Sequence, residues 1–163
     1  MLSPPYGGLS FLYHLSMKYQ NTQRGTVVLL GMGFGIVMCL VIAMTVPMPP
    51  AVRWLVGCSS LILLFFAWLF GSLTVEIDGE ELRHYFGPGF WRKTHLLMNI
   101  ESAEVVRNSW LYGWGIRLTP HGWLYNVAGL EAVQILLKSG KKFRVGTNDG
   151  ERLLATLQPL LKQ

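Results

Sequence analysis

The sequence predicts a two-helix transmembrane hairpin followed by an all-β barrel or sandwich that a C-terminal amphipathic helix closes. Three observations carry this reading. Two charge-free apolar blocks lie at 26–46 and 54–75, an alternation of period two begins at Leu73, and a leucine stripe of helical period fills the end of the chain. With 51% hydrophobic and only 14% charged residues, the 163-residue chain is too apolar for one soluble domain of its length. The organisation expected is a leader over 1–25, a hairpin over 26–75 and a β-rich domain over 73–163.

Each apolar block approaches the roughly 20 residues that a spanning helix needs. A cleaved signal peptide is the rival reading of the first block. That block follows a polar leader, however, and it meets Val46-Pro47-Met48-Pro49-Pro50 where a small-residue cleavage site belongs. The prolines suit a connecting loop, because proline cannot continue a hydrogen-bonded helix. Lys18 and Arg24 precede the first block and Arg83, Arg92 and Lys93 follow the second, against Arg53 alone between them. The positive-inside rule then places both termini in the cytoplasm, with Trp54 and Trp68 suited to interfacial belts.

Neither block contains Asp, Glu, Lys, Arg or His, the residues that mark proton relays and ion paths, which argues against a transporter acting alone. Gly31-Met32-Gly33-Phe34-Gly35 lacks the last glycine of a dinucleotide loop and has no strand before it. It reads as a small-x-x-x-small pair, Gly31 with Gly35, matched by Ala67 with Gly71 in the second block. These four are the candidate helix-packing residues, within the hairpin or between chains. Cys39 and Cys58 are isolated thiols without metal-site spacing. In the leader, Leu9, Leu12, Leu15 and Tyr19 have helical spacing, which suits either a short interfacial helix or a frayed terminus. Met17 offers an alternative start.

From Leu73 onward, apolar and polar residues alternate through Asp78, then around 81–86, 102–107, 115–119, 123–127, 132–138 and 142–147. Asp78-Gly79, Gly87-Pro88-Gly89 and Ser139-Gly140 supply turn chemistry between these runs. At Thr119-Pro120-His121-Gly122, Pro120 forbids a type I′ turn, so a type I turn with Gly122 in a bulge is expected. The expected register sets Leu118 against Leu124 on the inner face and Arg117 against Tyr125 on the outer face, with His121 at a solvated tip. Leu153, Leu154, Leu157, Leu160 and Leu161 form one helical face, with Asn148 and Glu151 as a capping pair and Pro159 as a kink or stop.

Several antiparallel strands closed by one amphipathic helix is the layout of a pleckstrin-homology (PH) domain. Gly113-Trp114-Gly115-Ile116-Arg117, Gly122-Trp123-Leu124-Tyr125-Asn126 and Phe143-Arg144-Val145-Gly146-Thr147, with the closing helix, resemble the small bacterial membrane proteins that carry a PH-like domain after a two-helix hairpin. The resemblance covers roughly 26–157. It implies a PH-like fold and a bacterial inner-membrane address, and it implies no reaction.

Enzyme signatures such as H-E-x-x-H, G-x-S-x-G and the P-loop are missing from the sequence, so no catalytic, cofactor-binding or metal-binding residue is expected. His84 and His95 read as packed or surface histidines, and Glu76, Asp78, Glu80 and Glu81 as a solvated edge. A net charge of +5 without a dense basic cluster argues against nucleic acid. Arg92, Lys93, Lys141, Lys142 and Arg144 are candidate contacts to an anionic lipid surface. Trp114, Arg117, Trp123 and Tyr125 are candidate partner-binding residues, in an aromatic group that also holds Trp110 and Tyr112. The expected function is a non-enzymatic, membrane-anchored binding or scaffolding module whose partner is the lipid surface, another protein or a second copy of the chain. An accessory subunit of a membrane transporter or envelope-enzyme complex is the alternative.

Overall fold

The computed structural model describes residues 17–161. Two helices are long and apolar enough to cross a membrane, α1 (Thr26–Thr45) and α2 (Pro50–Phe70). They lie side by side, with Gly35 facing Leu63 and the Cys39 thiol 3.6 Å from the Ser59 hydroxyl. No residue of α1 is buried by protein. α1 is apolar on all sides and packs on α2 along one of them, the pattern of a helix that can cross a membrane.

The helix pair continues directly into a strand pair. β1 (Met17–Arg24) leads through Gly25 into α1, and α2 leads through Gly71 into β2 (Ser72–Asp78). The Gly25 amide donates to the Gly71 carbonyl at 2.8 Å, and antiparallel pairing runs on from Arg24 opposite Ser72 to Met17 opposite Asp78. This corrects the leader: Tyr19 lies on a strand, not on an interfacial helix. The open hydrogen-bonding edge of β2 recruits the segment, and sheet pairing overrides its helical spacing. Leu9, Leu12 and Leu15 lie outside the described residues.

β2, β3 (Glu81–Phe86) and β4 (Phe90–Leu96) extend a four-stranded antiparallel sheet of order β1-β2-β3-β4. The second sheet contains β5 (Ile100–Arg107), β6 (Gly115–Thr119), β7 (Gly122–Asn126), β8 (Glu131–Leu137) and β9 (Lys142–Gly146), in the order β5-β8-β9-β7-β6. β7 and β9 pair in parallel, so the expected all-antiparallel pattern fails at one place. The two sheets stay separate and do not close into a barrel. Their facing sides share one core, with Leu73, Val75, Ile77 and Leu82 from the first sheet and Val133, Ile135 and Val145 from the second.

The closing helix α3 (Gly150–Leu161) packs chiefly on β5 and β8 and reaches β1, burying Leu153 and Leu157. Its first amide, at Gly150, is satisfied by the Glu131 carboxylate at 2.9 Å, and the Asp149 carbonyl accepts the Leu153 amide. The helix therefore starts later than the Asn148–Glu151 capping pair requires. A carboxylate from β8 caps it, and that carboxylate also suits the positive end of the helix dipole. Pro159 stays inside the last turn.

The acidic run is a solvated edge only at Glu80, which is exposed; Glu76 is buried, and Asp78 and Glu81 are half-buried. Because β1 covers one side of β2 and β3 the other, Arg83 sits among three carboxylates, with Glu81 at 2.6 Å, Asp78 at 3.1 Å and Glu76 at 3.8 Å. Glu76 is buried and also accepts the Tyr85 hydroxyl at 3.2 Å. These carboxylates raise the Arg83 pKa, which locks the guanidinium in its charged form.

Candidate functional site

The sandwich has two long sides. α3 packs on the one between β1 and β5; on the other, toward the edge strands β4 and β6, the described cover is the hairpin at one end. This open seam collects most of the exposed aromatic surface of the β domain.

At its hairpin end the seam widens into a cavity of about 510 Å³. Val28 and Met32 of α1 and Phe66 and Phe70 of α2 form one wall. Trp91, Trp114, Ile116 and Val127 form the other, with Arg117 as the one charged lining residue. The cavity exists because the β3–β4 turn sits on the end of α2. Gly87, at φ +48°, brings its backbone against the Leu69 and Trp68 carbonyls, and Phe70 meets Phe86 edge-on at 5.5 Å. Trp91 has a left-handed backbone with φ +54°, unusual for a bulky residue and the sort of strain that gathers at functional positions.

Two donors in this cleft lack a full set of acceptors. The Trp114 indole N–H is buried without a partner. Arg117 spends its Nε–H on the Trp114 carbonyl at 3.2 Å, and no ion pair is formed by it among the described residues. The cleft is thus apolar along its walls, with the Arg117 guanidinium as the charged group that lines it.

The other end of the seam is a flat apolar edge. Leu118 is 72% exposed and Trp123 48% exposed, and they stand opposite each other. This corrects the expected register, in which Leu118 faced Leu124 on the inside. The connection is a two-residue turn over Pro120 and His121, with Thr119 paired to Gly122, so every partner shifts by one. The Thr119 hydroxyl makes that register possible, accepting the His121 amide at 3.2 Å and donating to the Gly122 carbonyl at 2.8 Å. Gly122 keeps a positive φ of 97°. His121 stays exposed at the tip, its ring edge-on to Tyr112.

Tyr125 moves inward. Expected on the outer face opposite Arg117, it pairs with Ile116, is 8% exposed, and meets the His84 ring at a tilt, 4.5 Å between centroids. Of the four candidate partner-binding residues, the structure thus brings Trp114 and Arg117 to the cleft, leaves Trp123 on the exposed edge, and places Tyr125 in the core. Trp110 and Leu111, in the crossing between β5 and β6, are also highly exposed.

The basic candidates divide likewise. Arg92 follows the turn that sits on α2 and lies over the Tyr85 ring at 4.8 Å; Lys93 is next to it and exposed. Lys141 and Lys142 are exposed at the far end of the second sheet, where Lys142 backs onto Gly122. β7 runs from Gly122 back toward Val127, which touches Gly25 at the hairpin, so Lys142 lies about 16 Å of strand from the hairpin. Arg144 is not a surface cation. It is 7% exposed, donating to Gln134 at 2.8 Å and to Asn108 at 3.0 Å under the segment that crosses from β5 to β6. Burial lowers its pKa.

Among the helix-packing candidates, a Cβ on Gly35 would meet Leu63 at 3.2 Å, and one on Gly71 would meet Leu29 and the Ala67 carbonyl. Ala67 is buried, and Gly31 faces open space.

Sequence reasoning missed the histidine stack between the sheets. His84 is fully buried, lies 5.7 Å from His95 and from Phe143, and neither ring nitrogen has a hydrogen-bond partner. Burial, aided by His95 and Lys93, lowers its pKa to about 3. The strand alternation of Leu82, His84 and Phe86 signals inward placement, but the absence of partners emerges only when the second sheet is in place. No protein-family model matches the chain, and no curated protein matches it.

Proposed function

We propose that the chain is a non-enzymatic binding module anchored in the bacterial inner membrane, with both termini in the cytoplasm and a PH-like domain held against the inner leaflet. The four-stranded meander, the second sheet and the closing helix support the PH-like reading, while the parallel β7–β9 pairing departs from it. Arg92 and Lys93, beside the end of α2, orient the domain on anionic lipid at about 1 kcal/mol per cation. Lys141 and Lys142 point the module's far end toward the cytoplasm.

One observation carries the binding role: one side of the sandwich is sealed by α3, and the side between β4 and β6 is left with Leu118 and Trp123 in solvent. An exposed aromatic beside an aliphatic on an unpaired edge strand is the composition of an interface anchor. The segment it takes belongs to another membrane-associated protein.

The test is crosslinking in native membranes from a photoreactive residue at position 118. The expected result is one heteromeric adduct of fixed stoichiometry, lost in Trp123→Ala, while the thermal midpoint of the purified variant stays within a few degrees of wild type. Loss of folding in Trp123→Ala assigns that side chain to the core and overturns the reading. Adducts of this chain with itself alone replace the heteromeric partner by a second copy.

A further inference from the structure

We propose that the cleft at the junction of hairpin and β domain holds one acyl chain of an anionic glycerophospholipid from the surrounding leaflet. The inference rests on the hairpin lying in a bilayer, and it goes beyond the protein-binding edge at the other end of the seam.

Depth selects the occupant. Met32 lies six residues into α1, about 9 Å along the helix axis, and Phe66 is a full turn inside the end of α2. A cleft whose wall is made of spanning helices at that depth opens sideways into hydrocarbon. Water is scarce there and lipid chains are the solvent. A cavity of about 510 Å³ falls within the roughly 300–1,000 Å³ of ligand sites.

The polar end selects the head group. The unspent polar side-chain group that lines the cleft is a donor, the Arg117 guanidinium beyond its bond to the Trp114 carbonyl, and the Trp114 indole N–H lies buried and unpaired beside it. No carboxylate lines the cavity. A phosphate or ester carbonyl supplies acceptors without bringing donors of its own, and a guanidinium favours the anionic phosphate. A polypeptide segment brings an N–H donor with each carbonyl acceptor, and no side-chain acceptor lines the cleft to take those donors. Trp91, with its left-handed backbone, lines the cleft and stays half exposed.

The experiment uses the full chain in nanodiscs of equal phosphatidylglycerol and phosphatidylcholine, followed by native mass spectrometry after release. The expected result is one phosphatidylglycerol retained per chain. Arg117→Gln, on the exposed side of β6, lowers the preference for phosphatidylglycerol by about fivefold, equivalent to about 1 kcal/mol for one cation. Met32→Trp fills the cleft from the hairpin side, without touching the β strands, and abolishes retention. Equal retention in Met32→Trp and wild type, or an unchanged preference in Arg117→Gln, overturns the proposal. A parallel carbonate wash separates it from the membrane reading. A chain that stays with vesicles yet keeps no lipid sinks the cleft alone, whereas a chain that is washed off sinks both.

Discussion

His84 combines full burial, two unpaired ring nitrogens and a depressed pKa, and this makes the domain acid-sensitive in a defined direction. In the folded chain the ring stays neutral down to a pH of about 3. In the unfolded chain it takes a proton below its ordinary value of about 6.5. The unfolded state therefore binds more protons between those two values, and stability falls by about 1.4 kcal/mol for each pH unit descended through that window. His95, whose pKa burial also lowers, adds to the same trend, and Lys93 opposes protonation of both rings. Thermal unfolding of wild type and His84→Phe at pH 7, 5.5 and 4 checks this. The variant keeps the aromatic stack and should lose less stability on acidification; parallel pH profiles would refute the assignment. Arg144 shows what a sequence hides at this scale. Its place between Phe143 and Val145 marks it as outward-facing, which is right, yet outward did not mean solvated. The segment from Asn108 to Trp114 folds over that face of the sheet, and nothing in the local alternation announces a cover supplied from some 35 residues upstream.

Elements with strong periodicity were legible and those recruited by neighbours were not. The two apolar helices, the strands from β2 onward except β4, and α3 each declare themselves by spacing, though α2 begins earlier and ends earlier than its apolar block. β1 does not, because its partner, the edge of β2, is some 50 residues away, and β4 is masked by the polar composition of Phe90–Leu96. Pairing partners of this kind are tertiary facts, as is the one-residue shift at Leu118, where a threonine hydroxyl stabilised a shorter turn than the glycine suggested. The junction between β3 and α2 depends on a glycine in the same way. At Gly87 a Cβ would stand 2.5 Å from the Leu69 carbonyl oxygen and 2.9 Å from that of Trp68. Gly140 also has positive φ, but nothing lies within 4 Å of its Cβ position. Both alanine variants carry the left-handed penalty of about 1–2 kcal/mol, and only Gly87→Ala adds a backbone collision with the hairpin. Chemical denaturation of the two variants in the same detergent should show the larger loss for Gly87→Ala. Equal losses would mean that the turn is not seated on α2.

The whole molecule is organised around one constraint: the strand pair and the helix pair are the same hairpin. Arg24 opposite Ser72, and the Gly25 amide bonded to the Gly71 carbonyl, tie the entry of α1 to the exit of α2. With the ends joined by a ladder whose backbone groups cannot be left unsatisfied in hydrocarbon, β1 and the β domain must share one side of any membrane that the helices cross. The cytoplasmic side we propose for them is the one the positive-inside rule favours, with Arg24, Arg92 and Lys93 at the strand end against Arg53 at the other. The same geometry sets the cleft against α1 and α2 and leaves the Leu118–Trp123 edge further from the helices. Single cysteines at Gln20, Met48 and Ser139, in a background of Cys39→Ala and Cys58→Ala, read this arrangement directly. In intact cells made permeable only in the outer membrane, an impermeant maleimide should label position 48 alone, and positions 20 and 139 should become reactive together after lysis. Labelling of 20 and 139 on opposite sides would break the joined hairpin. Labelling of both in intact cells, with 48 protected, would invert the orientation and move the seam to the periplasm.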